Sequence, residues 1–116
     1  MKDVFKTQDV FGNNVTCTNS TWYYHIVTNH GLMSKNISAI VDTINDPDYV
    51  YEDKDYDSRK NFLKESTKAT YSPKFTTKVV IEYDMNDEGS VVTAYPINKN
   101  SKGGVGAEIY CKQNGL

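Results

Sequence analysis

No stretch of this sequence approaches the roughly 20 consecutive apolar residues that a membrane-spanning helix needs. Cysteine is scarce. Cys17 and Cys111 stand far apart and no Cys-x-x-Cys occurs, which argues against a zinc ribbon and a thioredoxin-like redox site. A reduced, structural pair of thiols is the expectation. Histidine is as scarce: His25 and His30 are the only two, so a histidine-rich metal centre is excluded. The net charge of -2 gives no global attraction for nucleic acid. No internal repeat or low-complexity tract is present. The start, Met1-Lys2-Asp3-Val4-Phe5, lacks the apolar core of a signal peptide, so a cytoplasmic protein is expected.

What is there is a polar chain rich in rings. It has 116 residues, enough for one domain with a modest core. Mean hydropathy is -0.62, yet aromatics reach 12% and nine of them are tyrosine. Burying rings offsets ordering entropy, which argues against disorder. The abundance of Asn, Asp, Lys, Ile and Tyr is the usage of AT-rich bacteria or their phages. Charge is unevenly spread. Residues 42–57 hold seven acids and one base, and residues 58–78 hold six bases and one acid. The plain reading of the basic run is a solvated face. The functional reading is a surface for phosphates, with Arg59, Lys60 and Lys78 as contacts.

Local patterns predict an α+β fold. Apolar pieces around Gly12-Asn13-Asn14 predict a hairpin within residues 3–17. Thr18, Asn19 or Ser20 caps a short helix over about 20–29, with Trp22, Ile26 and Asn29 on one face and Gly31 as its stop. A second helix runs over about 35–45, capped by Ser34, with Ile37, Ile40, Val41 and Ile44 at helical spacing and Asp46-Pro47 as its stop. Tyr49–Glu52 reads as a strand, and residues 59–65 stay open between strand and helix, a strand if a meander forms. Phe75–Tyr83 and Ser90–Ile97 form a hairpin around Met85–Gly89. Residues 98–116 read as a polar loop and tail, with Glu108–Cys111 open to a final edge strand or a frayed end. The expected architecture is one domain, with its core at about 8–97. An N-terminal hairpin and two helices pack on a four-stranded antiparallel sheet.

Groups suited to proton transfer cluster in two segments, Trp22 to His30 and Val91 to Pro96. His25 and His30 are the acid and base candidates near neutral pH. Five residues apart on one helix, they would sit about 140° apart, which disfavours a two-histidine metal site. No metal and no cofactor are expected. Each histidine also has a plain reading, His25 as a hydrogen-bonded residue under the sheet and His30 as a helix C-cap. Thr93 and Tyr95 share one strand face and look toward solvent or a cleft, while Val92 and Ala94 suit the core. RNA cleavage without metal fits such residues. A base takes the 2′-hydroxyl proton, an acid protonates the leaving 5′-oxygen, and cations or hydroxyls hold the charged phosphorane. Trp22 and the tyrosines can stack on a splayed base.

Several segments in order resemble a phage-associated nuclease family (PBECR-like) of the barnase–EndoU–colicin–RelE superfamily. They are Asp9-Val10-Phe11-Gly12, Trp22-x-x-His25-Ile26-x-x-x-His30, Thr43-Ile44-x-x-Pro47-Asp48, Lys78-Val79-Val80-Ile81 and Val91-Val92-Thr93-Ala94-Tyr95. The resemblance covers about residues 8–97. It implies helices on a four-stranded antiparallel sheet and metal-independent RNase activity, often in toxins or phage–host conflict. It places His25 and His30 in the helical motif and Thr93 and Tyr95 in the strand motif. Lys78 is added from its charge and strand position. His30 is followed by Gly31 where the family pattern carries Pro, and the chain is acidic for a free RNase.

Three functional readings follow. The first is a small endoribonuclease, a toxin or mobile-element effector, acting on a structured RNA such as tRNA and countered by an immunity protein. The second is a non-catalytic phage or mobile-element protein that binds a host protein through its acidic stretch and tyrosine-rich surface. The third is an RNA-binding module without cleavage.

Overall fold

A computed structural model describes residues 3–112. The fold is α+β. The hairpin pairs β1 (Asp3–Gln8) with β2 (Asn14–Thr18). A π-helical segment (Thr21–Val27), a 3-10 turn (Gly31–Lys35) and helix α1 (Ile37–Asn45) follow. Strands β3 (Tyr49–Asp53), β4 (Arg59–Lys64), β5 (Phe75–Tyr83), β6 (Gly89–Asn98) and β7 (Val105–Cys111) complete the chain.

The sheet corrects the expected four antiparallel strands. Among the described residues it has seven strands in the order β1-β2-β6-β5-β4-β3-β7, with β2 and β6 parallel. The four expected strands are the meander β3–β6. The N-terminal hairpin does not pack on this meander as a separate layer. It joins the sheet itself where Val15 meets Gly89 and Thr16 meets Ser90. Gly89 makes that junction close. A Cβ there would lie 2.9 Å from Ile81 and 3.0 Å from both Tyr83 and Val15. The polar stretch over 98–116 is corrected as well. Val105–Cys111 pairs with β3 as an edge strand. Most of β7 is exposed, so it never shows the apolar alternation that marks a half-buried strand. Residues 113–116 of the expected tail lie outside the described residues.

The helical elements depart in detail. The first helix ends at Val27, and its last turn is closed by i→i+5 bonds, with Thr28 N–H and Oγ1 both donating to the Tyr23 carbonyl at 3.2 and 2.6 Å. Of the three candidate caps, Thr18 Oγ1 accepts the Thr21 N–H at 3.2 Å. Gly31 opens the 3-10 turn rather than stopping a helix. On the expected face Ile26 is buried, Trp22 half-buried and Asn29 exposed. Helix α1 starts at Ile37, two residues late, and buries Ile40 and Ile44 with Ala39 and Thr43, leaving Ile37 at the surface. Asn36, not Ser34, holds its entry. The Asn36 amide donates to the Leu32 carbonyl (2.6 Å) and Thr70 Oγ1 (2.9 Å), and its Oδ1 accepts the Thr70 N–H (2.7 Å).

The core lies between the helical layer and one sheet face, built from Ile26, Met33, Ile40, Ile44, Val50, Phe62, Val79, Ile81, Val91 and Ala94 among others. Asp9 closes it at one end. Its Oδ1 accepts the Phe11 and Asn13 N–H groups at 2.8 and 2.9 Å, and its Oδ2 accepts the Tyr83 hydroxyl at 2.6 Å and the Asn13 amide at 3.3 Å. Gly12, at φ +88°, completes the turn in a conformation that favours glycine. Packing of α1 against the sheet brings part of the acidic run to β4. Lys64 bridges Asp42 (3.2 Å) and Asp46 (3.0 Å), and Lys112 adds a second bond to Asp46 (2.8 Å). These bonds hold Asp46 below the usual carboxylate range.

Candidate functional site

Among the described residues, no helix lies over the second sheet face. Here β5 presents Thr76, Lys78 and Val80, although a polar strand face is ordinarily wet. All three are nevertheless buried. The cover is the loop of residues 99–104. It is anchored by a Lys99–Glu65 ion pair (3.1 Å) and by the Lys102 ammonium, 5.1 Å from the Tyr51 ring centre. Lys78 Nζ donates to the Lys102 carbonyl at 3.2 Å. Gly103, at φ +72°, lies so close that a Cβ there would collide with Lys78 Nζ.

Cross-strand register sets the neighbours of Lys78. Tyr95 faces it from β6 and Leu63 from β4. The Lys78 ammonium lies 5.8 Å from the Tyr95 ring centre. Burial lowers the Lys78 pKa, and Asp53 opposes this shift. Burial, with Asp53, raises the Tyr95 phenol. Burial would raise Asp53 itself. The N–H groups of Asp55 and Tyr56, the Asn61 amide and the Arg59 charge outweigh it and hold that carboxyl below its usual range.

His30 reaches this group from the helical side. Beyond Ser90, β6 is not paired to β2, so the helical segments run along its free edge. Ile26 is buried in the core and anchors them. After the π-helical turn His30 leaves helical geometry (φ -137°, ψ 73°), and its ring stacks on Tyr95 with centroids 4.8 Å apart and planes at 25°. The 140° separation of the two histidines assumed one helix, and the chain leaves that helix before His30. His25 stays on it, exposed, and meets the strand through its carbonyl, which accepts from Thr93 Oγ1 at 3.4 Å.

The fold therefore brings His30, Tyr95 and Lys78 together, with Thr93 two residues from Tyr95 on the same face. It does not bring the other candidates to this point. Trp22 packs against the core. Arg59 binds Glu82 at 3.0 Å and stacks over the Tyr56 ring at 4.1 Å. Lys60 points to the helical side of the sheet, between the rings of Phe11 (4.8 Å) and Tyr83 (4.6 Å). Sequence reasoning missed Asp53 and Asn61. Asn61 is 1% exposed, and a polar residue two before Leu63 in a strand was the available signal. Among the described residues no group of three His, Cys, Asp or Glu is placed to hold a metal ion, and no helix is long and apolar enough to cross a membrane. Cys17 and Cys111 are free thiols in β2 and β7.

A groove of about 470 Å³ opens on the same face toward β3 and β7. Its lining includes Tyr49, Tyr51, Leu63, Thr76 and residues 99–102, with the carboxylates of Asp48, Glu65 and Glu108. It adjoins Lys78 through Leu63 and Lys102. No protein family, curated protein or solved structure matches this chain.

Proposed function

We propose that the chain is a ribonuclease that cleaves RNA by attack of the 2′-hydroxyl, without using a metal ion. The supporting observation is the His30–Tyr95–Lys78 group on the helix-free sheet face: an imidazole, a phenol and a cation in one place. His30 takes the proton of the 2′-hydroxyl. The 2′-oxygen bonds to phosphorus as the bond from phosphorus to the 5′-oxygen breaks, and the Lys78 ammonium, made more acidic by burial, protonates that 5′-oxygen. Thr93 and Tyr95 donate to the phosphorane. The products are a 2′,3′-cyclic phosphate and a free 5′-hydroxyl. Lys78 is 3% exposed, so the phosphate takes the place of the Lys102 carbonyl when the 99–104 loop lifts. The sequence resemblance to the barnase–EndoU–colicin–RelE superfamily supports the same reading.

A second reading, a partner-binding protein on this fold, is favoured by the charge pairing. Arg59 and Lys64 are engaged in internal ion pairs, and Lys60 lies between two rings, which weakens the basic run as a phosphate surface. Tyr23, Tyr24 and Leu32 are each about 60% exposed on the helical segments.

The test is incubation in EDTA with total bacterial RNA and purified tRNA, beside His30→Ala and Lys78→Met. The expected result is fragments ending in 2′,3′-cyclic phosphate, with cleavage reduced by about 10²–10⁴ in His30→Ala. Intact RNA at high protein concentration overturns the proposal for these substrates and favours the partner-binding reading.

A further inference from the structure

The groove beside Lys78 carries features that the cleavage reaction does not use. Tyr49 and Tyr51 stack at its wall, with centroids 5.9 Å apart and planes at 24°. The inner ring, Tyr51, is 4% exposed and held under the Lys102 ammonium, whereas the outer ring, Tyr49, is 38% exposed. Thr76, Asn100 and Ser101 supply hydroxyl and amide groups to the same space. A purely apolar ligand would leave those groups without partners. A flat ligand with a polar edge satisfies both the ring and the edge groups, and a nucleobase has that form. Position adds to this. Leu63 lines the groove and stands directly opposite Lys78 across the β4–β5 pair, a separation of about 5 Å between such side chains. Lys99, paired with Glu65, and Lys102 line the loop side of the groove with Asp48 and Glu108, so its charge favours an uncharged base there and leaves the phosphate to Lys78.

We propose that this groove is a base subsite, which seats one unpaired nucleobase of a single-stranded RNA against Tyr49 while the adjoining phosphate lies at Lys78. The assignment rests on the ribonuclease reading for the identity of the chain bound. It makes the preferred substrate a loop or single strand, because a paired base cannot leave its stack to enter the groove.

The experiment is titration of the full chain, labelled with nitrogen-15, with each of the four nucleoside 5′-monophosphates, followed by cleavage of one oligonucleotide in single- and double-stranded form. The variants are Tyr49→Ala and Tyr49→Phe, at a position exposed enough to be replaced without loss of the fold. Saturable shifts at Tyr49, Tyr51 and Asn100 are expected. Tyr49→Ala should weaken the affinity by about five- to 150-fold, and Tyr49→Phe should retain it. Equal affinity in Tyr49→Ala and wild type, shifts confined to other surfaces, or no saturable shift at millimolar nucleotide each overturn the subsite. Binding in the groove without cleavage of any RNA leaves the subsite standing and overturns the ribonuclease reading. Cleavage with an unresponsive groove overturns the subsite alone.

Discussion

The Asp9 loop gives the sharpest energetic test of this fold. Asp9 accepts four hydrogen bonds, but they are not equivalent. The Phe11 and Asn13 N–H groups sit in a turn that water can reach, so their loss in Asp9→Ala is largely made good by solvent. The Tyr83 hydroxyl is buried, bonds Asp9 at 2.6 Å and would be left without its acceptor. A hydrogen bond to a charged acceptor contributes about 1.5–3 kcal/mol, and stranding the hydroxyl adds a desolvation cost, so Asp9→Ala should destabilise by about 3 kcal/mol. Tyr83→Phe keeps the ring between the core and the Lys60 ammonium and removes only the bond, for about 2 kcal/mol. With an unfolding entropy near 2.1 cal/mol/K per residue over 116 residues, 2 kcal/mol lowers the melting temperature by about 8 °C. The double variant should then cost little more than Asp9→Ala alone, a coupling of about 1.5–3 kcal/mol. Urea unfolding of the four proteins, followed by circular dichroism, measures it. A coupling below about 0.5 kcal/mol would refute the claim that this pair closes the core. The same variants separate structure from chemistry. The side-chain bonds of Asp9 all point into its own turn and the core. RNA cleavage by folded Tyr83→Phe should therefore equal that of wild type.

Two further predictions concern pH. Burial, and secondarily the nearby Asp3, push the Cys17 thiol up to about 12 from 9.0, so its stabilising effect is complete below pH 9 and is lost as pH rises through the folded value. Between pH 9 and 10 the unfolding free energy of wild type should fall relative to that of Cys17→Ala by up to about 1 kcal/mol, and parallel curves would contradict this. Asp46 is held below its ordinary 3.8 by bonds from Lys112 and Lys64, so its contribution is present above pH 3.8 and lost as pH falls through the lowered value. Asp46→Asn should flatten the acid limb of stability. The effect should stay below about 1 kcal/mol, because the carboxylate is 47% exposed, and it should shrink in high salt. An acid limb identical to wild type would argue that the Lys64–Asp46–Lys112 bridge does not stabilise the fold.

The local signals in this chain were those with short-range causes. Helical spacing of Ile40 and Ile44 placed α1, Gly12-Asn13-Asn14 placed the hairpin turn, and alternation placed β5 and β6. The same alternation put Thr93 and Tyr95 opposite Ala94 before any contact was known. Lys78 could be placed on a strand, but not under a loop. Edge strand β7 was half-visible, because an exposed strand needs no apolar pattern.

By itself, then, the sequence determined the class of the fold, its main helix, its β5–β6 hairpin and the face on which the strand candidates lie. Each of these follows from side-chain period and turn chemistry over a few residues. Only the tertiary structure decided that the hairpin joins β6 in parallel, that Lys64 of β4 pairs with Asp42 and Asp46 of the α1 region, and that His30 rather than the His25 ring meets Tyr95. Those outcomes depend on groups far apart in the chain. They are set by which backbone edges find partners, by the space a missing Cβ leaves at Gly89, and by where the chain leaves its π-helical turn. No local pattern encodes them.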